Sequence, residues 1–269
     1  MPEIKRRQDI HAELELLRHA AREAGRIAMR YFGQSPEVWL KDGRSPVSEA
    51  DMAVDHYLRE VLLEARPDYG WISEETIDER AVAPRDRTFI VDPIDGTRAY
   101  IGGQDQWCIS IAIVENGKPL AGVLQCPARG EVIEAGKGLG ASQNGMPIRV
   151  HVPPAGEKMA IASARSMVDA LPELWRERVA LHPYVPSLAY RIAMVARGDI
   201  AGTFIRPNSH DWDLAAADLI LSESGGAILG CDASALVYGG PTLSHGTLVA
   251  ASGNLLQEML SVVAEWPLG

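Results

Sequence analysis

A chain of 269 residues with 46% hydrophobic and 23% charged content has the make-up of a soluble globular protein, with room for one large domain or two medium ones. Its 36 acidic against 26 basic residues give a net charge of −10, which argues against grasping a nucleic-acid polymer by its phosphates but not against a small anion held through divalent cations. No apolar run approaches the roughly 20 residues that span a bilayer, and residues 1 to 8 lack the apolar core of a secretory signal, so neither a membrane partner nor export is expected.

A cytoplasmic location follows as the expectation, with Cys108, Cys126 and Cys231 as reduced thiols because they are odd in number and lack metal-ligand spacing. In chain order, residues 8 to 32 carry an amphipathic helical pattern with Ile10, Leu14, Leu17, Ala21, Ala24, Ile27 and Tyr31 on one face. Lys41 precedes Ser48 and Asp51, which are spaced as a capping box for a helix from about 49 to 65. Trp71, Ile72 and Ser73 form a short strand that runs into Glu74 and Glu75. Phe89, Ile90 and Val91 form another, expected to stop at Asp92 and turn through Pro93, Ile94 and Asp95, which leaves Asp95 on an accessible loop. Gly96 and Thr97 follow with backbone N–H groups to offer.

Residues 107–114 and 120–126 alternate around Asn116-Gly117, a hairpin signal, and 131–135 and 141–150 continue the strands through a second turn at Asn144-Gly145. Pro153-Pro154-Ala155-Gly156 marks a junction, dividing the chain into a half at 1–152 with helices and a largely antiparallel sheet, and a half at 153–269. The second half alternates: a strand at 159–162, a helix at 171–181, a helix at 187–196, a strand at 200–205, a helix opening at His210-Asp211-Trp212-Asp213 and ending at Gly225-Gly226, strands at 227–229 and 247–251, and a closing helix at 255–266.

Taken singly, each acidic motif has an ordinary explanation: Asp92 to Gly96 as a turn, Ser48 with Asp51 as a cap, and Asp211 with Asp213 as charge complementing a helix dipole. Two acids at a strand end also suit a hard divalent cation, and free N–H groups beside them suit a phosphate. Together they point to metal-assisted chemistry on a phosphate ester.

Four blocks in this order, Val47-Ser48-Glu49-Ala50-Asp51, Ser73-Glu74-Glu75-Thr76, Asp92-Pro-Ile-Asp-Gly-Thr97, and Trp212-Asp213-Leu-Ala-Ala with Glu223-Ser-Gly-Gly226, resemble the signatures of the inositol monophosphatase superfamily. The resemblance covers nearly the whole chain. It implies an α/β fold of the layered αβαβα type, with the site where the halves meet. It further implies that Glu74, Asp92 and the Ile94 carbonyl bind one Mg²⁺ and that Asp92, Asp95 and Asp213 bind a second, with a third beside Glu74 as a family option. Asp51 and Thr97, with Glu74 nearby, resemble the group that activates water; Gly96 and Thr97 would offer N–H groups to phosphate; Lys41 resembles a lysine near Asp51; Glu75 would support the ligands. Inhibition by Li⁺ and a small phosphorylated metabolite as substrate follow from the same resemblance, and a homodimer is compatible with it.

Two departures bear on the substrate. The inositol-specific branch follows Asp-Gly-Thr with Thr-Asn-Phe, where this chain has Arg98-Ala99-Tyr100, and it carries an acid seven residues before the second-signature Asp, where this chain has Arg206. A guanidinium accepts no hydrogen bond from a sugar hydroxyl and favours phosphate. In this respect the chain resembles the 3'(2'),5'-bisphosphate nucleotidase branch, which implies adenosine 3'(2'),5'-bisphosphate as substrate. Inositol 1-phosphate and then histidinol phosphate are the alternatives. A metal- or anion-binding pseudoenzyme is the non-catalytic one, and the presence of Glu74, Asp92, Asp95, Thr97 and Asp213 together speaks against it. Trp107 and Tyr190 could stack on a base, with packing the more frequent role, and His210 is the histidine expected near the site.

Overall fold

In the computed structural model, which describes residues 2–34, 37–41, 45–76, 85–151, 153–154 and 156–265, the chain folds into five alternating layers. Helix α1 (Pro2–Tyr31) buries Ile10, Leu14, Leu17, Ala21, Ala24 and Ala28 along one stripe. It begins six residues before the expected start because its first turns are strong helix formers without apolar periodicity. A ribbon of β1 (Val38–Lys41) and β2 (Ser45–Ser48) leads into α2 (Glu49–Ala65).

Strands β3 (Gly70–Ser73), β4 (Arg87–Asp95), β5 (Cys108–Glu115), β6 (Lys118–Cys126), β7 (Glu131–Gly136), β8 (Gly140–Gln143) and β9 (Met146–Pro147) form a seven-stranded sheet in sequence order, with α3 (Thr97–Ile101) between β4 and β5. All neighbours are antiparallel except β3 and β4. The turns at Asn116-Gly117 and Asn144-Gly145 take positive φ at both residues, as tight hairpins require.

The second half supplies β10 (Met159–Ile161), α4 (Arg165–Asp169), α5 (Glu173–Arg178), β11 (Val179–Leu181), α6 (Leu188–Ala196), β12 (Gly202–Ile205), β13 (Ser209–His210), α7 (Asp211–Glu223), β14 (Ala227–Gly230), β15 (Ser244–His245), β16 (Leu248–Ala251) and α8 (Gly253–Glu265). Its five-stranded sheet runs β11-β10-β12-β16-β14, and β13 pairs with β15 as a separate ribbon. Three apolar clusters lie between the layers: α1 and α2 on one face of the first sheet, α6 and α7 between the sheets, and α8 with α4 and α5 on the far face of the second. The middle cluster draws on both halves of the chain, from Ile90 and Leu124 to Leu214 and Ala250. Where α7 crosses β6, a Cβ on Gly122 would come within 2.9 Å of the Ala216 backbone, so glycine is required for that approach.

Two expectations are corrected. The helix expected over 171–181 is only α5, and 179–181 form β11, paired in parallel with β10; sheet pairing there overrides a helical pattern that Pro172 already interrupts. The strand expected to stop at Asp92 continues to Asp95: its register with β5 shifts between Asp92 and Asp95, and Pro93, which has no N–H to pair, sits in the irregularity. Ala155 of the junction at 153–156 and Trp266 of the closing helix lie outside the described residues.

Asp218 on α7 accepts a 2.8 Å hydrogen bond from the Tyr238 hydroxyl, and burial raises its pKa from 3.8 to about 6 against the opposing pull of that bond, Lys118 and His245. The folded chain thus keeps this proton to higher pH than the unfolded chain. The associated stability is full below pH 4 and is lost as pH rises through 6, by about 2–3 kcal/mol. Asp218→Asn is expected to erase that slope while keeping the tyrosine bond. Urea unfolding at pH 4 and pH 7 checks it, and a variant-minus-wild-type difference that is the same at both values contradicts it.

Candidate active site

The end of β4 carries Asp92 and Asp95, both buried, and the first turn of α7 carries Asp213, half-buried. One carboxylate oxygen from each lies within 4.8 Å of the others. The bulge in β4 explains why one strand can present two acids, three residues apart, to the same point.

Hydrogen bonds decide which lone pairs are left. Asp95 Oδ2 accepts from the Ser187 hydroxyl at 2.5 Å and the Ala189 N–H at 2.6 Å, and Oδ1 accepts from the Leu188 N–H at 3.2 Å. Oδ2 is therefore saturated, and Oδ1 is the oxygen with capacity for a cation. Asp92 Oδ1 accepts from the Ile94 N–H at 3.0 Å, and Asp213 Oδ2 from the His210 N–H at 2.7 Å, closing a capping box. Asp95 is thus no loop residue, as the sequence suggested; it is 6% exposed and caps α6 from 92 residues away.

The electrostatics are those of a cation site. Burial raises Asp92 well above the usual carboxylate range, and the charges of Glu74, Asp95, Asp213 and Asp51 add to it. Burial likewise raises Asp95, with its three donors opposing, and pushes Asp213 up to about 7 with help from the Asp95 charge. Converging oxygens that resist ionising together fit a hard divalent ion such as Mg²⁺ and do not select zinc. Glu74 follows β3, with its N–H on the Val91 carbonyl at 3.2 Å; it stands outside the group of three but heads the neighbouring charges that act on Asp92.

Asp51 is the third residue of α2 and lies 1% exposed, its Oδ2 taken by the Ser48 N–H at 2.8 Å and the Ser48 hydroxyl at 2.5 Å. Burial raises it to about 6 against those bonds. The Thr97 hydroxyl is 3.0 Å from the Ile94 carbonyl and 3.4 Å from Asp51 Oδ1, so it rests on the carbonyl and has the carboxylate within a short rotation. Gly96 has φ of +93°, and a Cβ there would meet Ser187 and the Gln106 carbonyl at 3.1–3.2 Å, which restricts the position to glycine. Behind the turn, Tyr100 bonds the Ala28 carbonyl of α1 at 2.7 Å and packs edge-on to Trp107 at 4.8 Å.

Trp107 and Tyr190 are packing residues: Trp107 is fully enclosed, and the Tyr190 hydroxyl is held by Glu131 and Arg197. His210 stacks on Trp212 at 4.6 Å, three residues before Asp213. Lys41 ends β1 with its side chain outside the described residues, and Glu75 is half-buried.

A cavity of about 260 Å³ opens beside Asp213, lined among others by Tyr184, Leu188, Arg191, Arg206 and Asn208. Arg206 is exposed and donates to the Ser166 hydroxyl at 2.6 Å. Arg191 is only 9% exposed, and its Nε has no partner. Among the described residues neither guanidinium has a carboxylate within ion-pair distance. Arg191 and Tyr184 escaped the sequence reading. Arg191 sits in an otherwise apolar helix, and the only signal for it was that a charge there is out of place.

The model of the inositol monophosphatase family matches residues 9–265. A histidinol-phosphatase of Chlorobaculum parvum is 31% identical over 261 residues, covering 90% of this chain and 97% of that protein. An inositol-1-monophosphatase of Rhizobium meliloti is 30% identical over 268 residues, covering 94% and 96%. The solved Thermotoga maritima IMPase superposes with a TM-score of 0.83 at 26% identity, covering 96% of this chain and 99% of that one. No helix among the described residues is long and apolar enough to cross a membrane. With an acid cluster that could hold a metal ion and a match running through nearly its whole length, the chain belongs to the inositol monophosphatase family and is a phosphoric monoester hydrolase.

Proposed function

We propose that the protein is a Mg²⁺-dependent nucleotidase that hydrolyses adenosine 3'(2'),5'-bisphosphate to AMP and phosphate. The observation that carries this reading is the pair of guanidiniums, Arg191 and Arg206, in a cavity that also contains Asp213; among the described residues neither has a carboxylate within ion-pair distance, and the one carboxylate charge that acts on Arg191 is that of the more distant Asp95. A substrate with one phosphate at the acid cluster and a second anionic group in the cavity would satisfy both. Tyr184, 65% exposed on the same wall, offers a face for the base.

In this reading Glu74, Asp92 and the Ile94 carbonyl hold one Mg²⁺, and Asp92, Asp95 through Oδ1 and Asp213 hold another. Bound there, Mg²⁺ supplies charge neutralisation at the phosphate, a more acidic water and stabilisation of the leaving oxygen. The Gly96 and Thr97 N–H groups face phosphate oxygens. The Thr97 hydroxyl turns from Ile94 O to donate to Asp51 Oδ1 while Oγ1 accepts from the attacking water; as the water attacks, its proton passes to Oγ1 and the Thr97 proton passes to Asp51, which is ionised above about pH 6. Lys41 keeps its suggested place near Asp51 as a proposal. No covalent intermediate is involved.

The names of relatives at 30–32% identity support inositol 1-phosphate as an alternative, and those of relatives at 31% support histidinol phosphate. The ammonium group of histidinol phosphate would face the guanidiniums of Arg191 and Arg206. A phosphate-release panel of adenosine 3',5'-bisphosphate, histidinol phosphate and inositol 1-phosphate in Mg²⁺ separates these. The bisphosphate is expected to be fastest, EDTA to stop all release, and millimolar Li⁺ to inhibit by displacing Mg²⁺ from the Asp213 side. Turnover that persists in EDTA would remove the metal chemistry, and histidinol phosphate as the best substrate would overturn the nucleotidase.

A further inference from the structure

Asp92 and Asp95 share one rigid strand, whereas Asp213 arrives from the other half of the chain on the first turn of α7. Its reach to the other two acids depends on where that turn is held. The segment from Leu236 to His245 crosses the start of α7 and is bonded to it repeatedly.

Asp211, two residues before Asp213, is fully buried, and both of its oxygens are used on this segment: Oδ1 meets His245 Nε2 at 2.7 Å, and Oδ2 accepts the Gly239 N–H at 2.6 Å. The Asp211 N–H donates to the Leu243 carbonyl at 2.9 Å, and the Asn208 N–H to the His245 carbonyl at 2.9 Å. Ser209 and His210 pair with His245 and Ser244. Asp218, seven residues along and so on the same face of α7, takes the Tyr238 hydroxyl. The other side of the segment is tied to the first sheet, by the Tyr238 N–H on the Gly117 carbonyl at 3.1 Å and Lys118 Nζ on the Leu236 carbonyl at 2.7 Å.

This strap also reaches the ligand itself. The N–H that orients Asp213 belongs to His210, and His210 is the ribbon residue paired with Ser244. A shift of the ribbon therefore moves both the helix turn that carries Asp213 and the donor that fixes its carboxylate. A buried carboxylate at Asp211 is costly unless both oxygens are satisfied, so losing one partner forces the segment or the turn to rearrange.

We infer that the 236–245 strap positions Asp213 for metal binding, with Asp211 and His245 as positioning residues that set Mg²⁺ affinity without touching the ion. The inference rests on the reading of Asp213 as a metal ligand. Partners one shell out from a metal typically change affinity by about 10–100-fold when removed.

The test is Mg²⁺ titration calorimetry on wild type, His245→Ala and His245→Gln, with melting temperatures and with kcat and KM at saturating Mg²⁺. His245→Ala is expected to weaken Mg²⁺ binding about tenfold. His245→Gln, whose amide can still donate to Asp211, is expected to recover most of that loss. If His245→Ala does not fold, Tyr238→Phe removes only the Asp218 anchor and should weaken Mg²⁺ binding in the same direction by less. A variant that melts earlier but binds Mg²⁺ as wild type does would show that the strap only stabilises the fold. Wild type without saturable Mg²⁺ binding would overturn the ligand reading and the strap's role with it.

Discussion

Asp92→Asn is expected to cut kcat/KM by roughly a thousandfold or more, while the metal-free protein melts no lower than wild type and as much as several degrees higher. Asp92 is shared by both proposed Mg²⁺ sites, and it spends only one oxygen on the protein, the bond from Ile94 N–H, which an asparagine oxygen can keep. Four neighbouring acids raise its pKa, so removing its charge relieves the unliganded fold. Asp95→Asn should behave differently although it lies in the same cluster. All four protein contacts of Asp95, from Ser187, Leu188, Ala189 and the Cys108 thiol, come from donors, on both oxygens, and an amide nitrogen must face at least one of them. That conflict is expected to cost about 3 kcal/mol, with a melting temperature lower by several degrees. Thermal melts in EDTA beside steady-state kinetics in Mg²⁺ give both numbers. Equal melting for the two variants would contradict the assignment of Asp95 as the cap of α6, and an Asp92→Asn enzyme within a few-fold of wild type would remove the metal site.

Arg206→Glu and Arg191→Met are expected to lower kcat/KM for adenosine 3',5'-bisphosphate about tenfold to a hundredfold, corresponding to a charged hydrogen bond worth roughly 1.5–3 kcal/mol. Inositol 1-phosphate, with no second phosphate, should lose much less. Arg191→Met preserves the buried stem of the side chain and removes the guanidinium, whose Nε has no partner, so its fold should survive. Arg206→Glu replaces attraction with repulsion at the exposed mouth of the cavity. Parallel kinetics on the two substrates check this. Equal losses on both would mean that the arginines support the acid cluster instead of a second anion.

The acids stood out in the sequence because four blocks in order resemble one family; taken singly, their local roles as strand end, turn or helix cap would not have marked them. Asp51 and Ser48 form the expected capping box, and α2 begins and ends where its spacing says. What holds those acids was not legible. Asp95 is capped by Ser187, Leu188 and Ala189, and no local pattern links residues 92 apart. Pro93 read as the end of a strand because proline cannot pair, yet the chain bulges around it and pairs again at Asp95. Arg206 could be singled out because the resembled inositol-specific branch carries an acid seven residues before the position of Asp213. Arg191 could not, because only the packed structure shows a buried guanidinium turned toward the same cavity. Val179 to Leu181 failed as a helix because pairing with β10, a tertiary event, outweighs local preference.

The most direct measurement is a competition: wild-type enzyme with equal concentrations of adenosine 3',5'-bisphosphate and inositol 1-phosphate in Mg²⁺, followed by ³¹P NMR, in which the relative rates of consumption give the ratio of kcat/KM. The bisphosphate is expected to disappear at least tenfold faster, leaving AMP and inorganic phosphate, with both reactions silent in EDTA. Faster consumption of inositol 1-phosphate would contradict the substrate assignment.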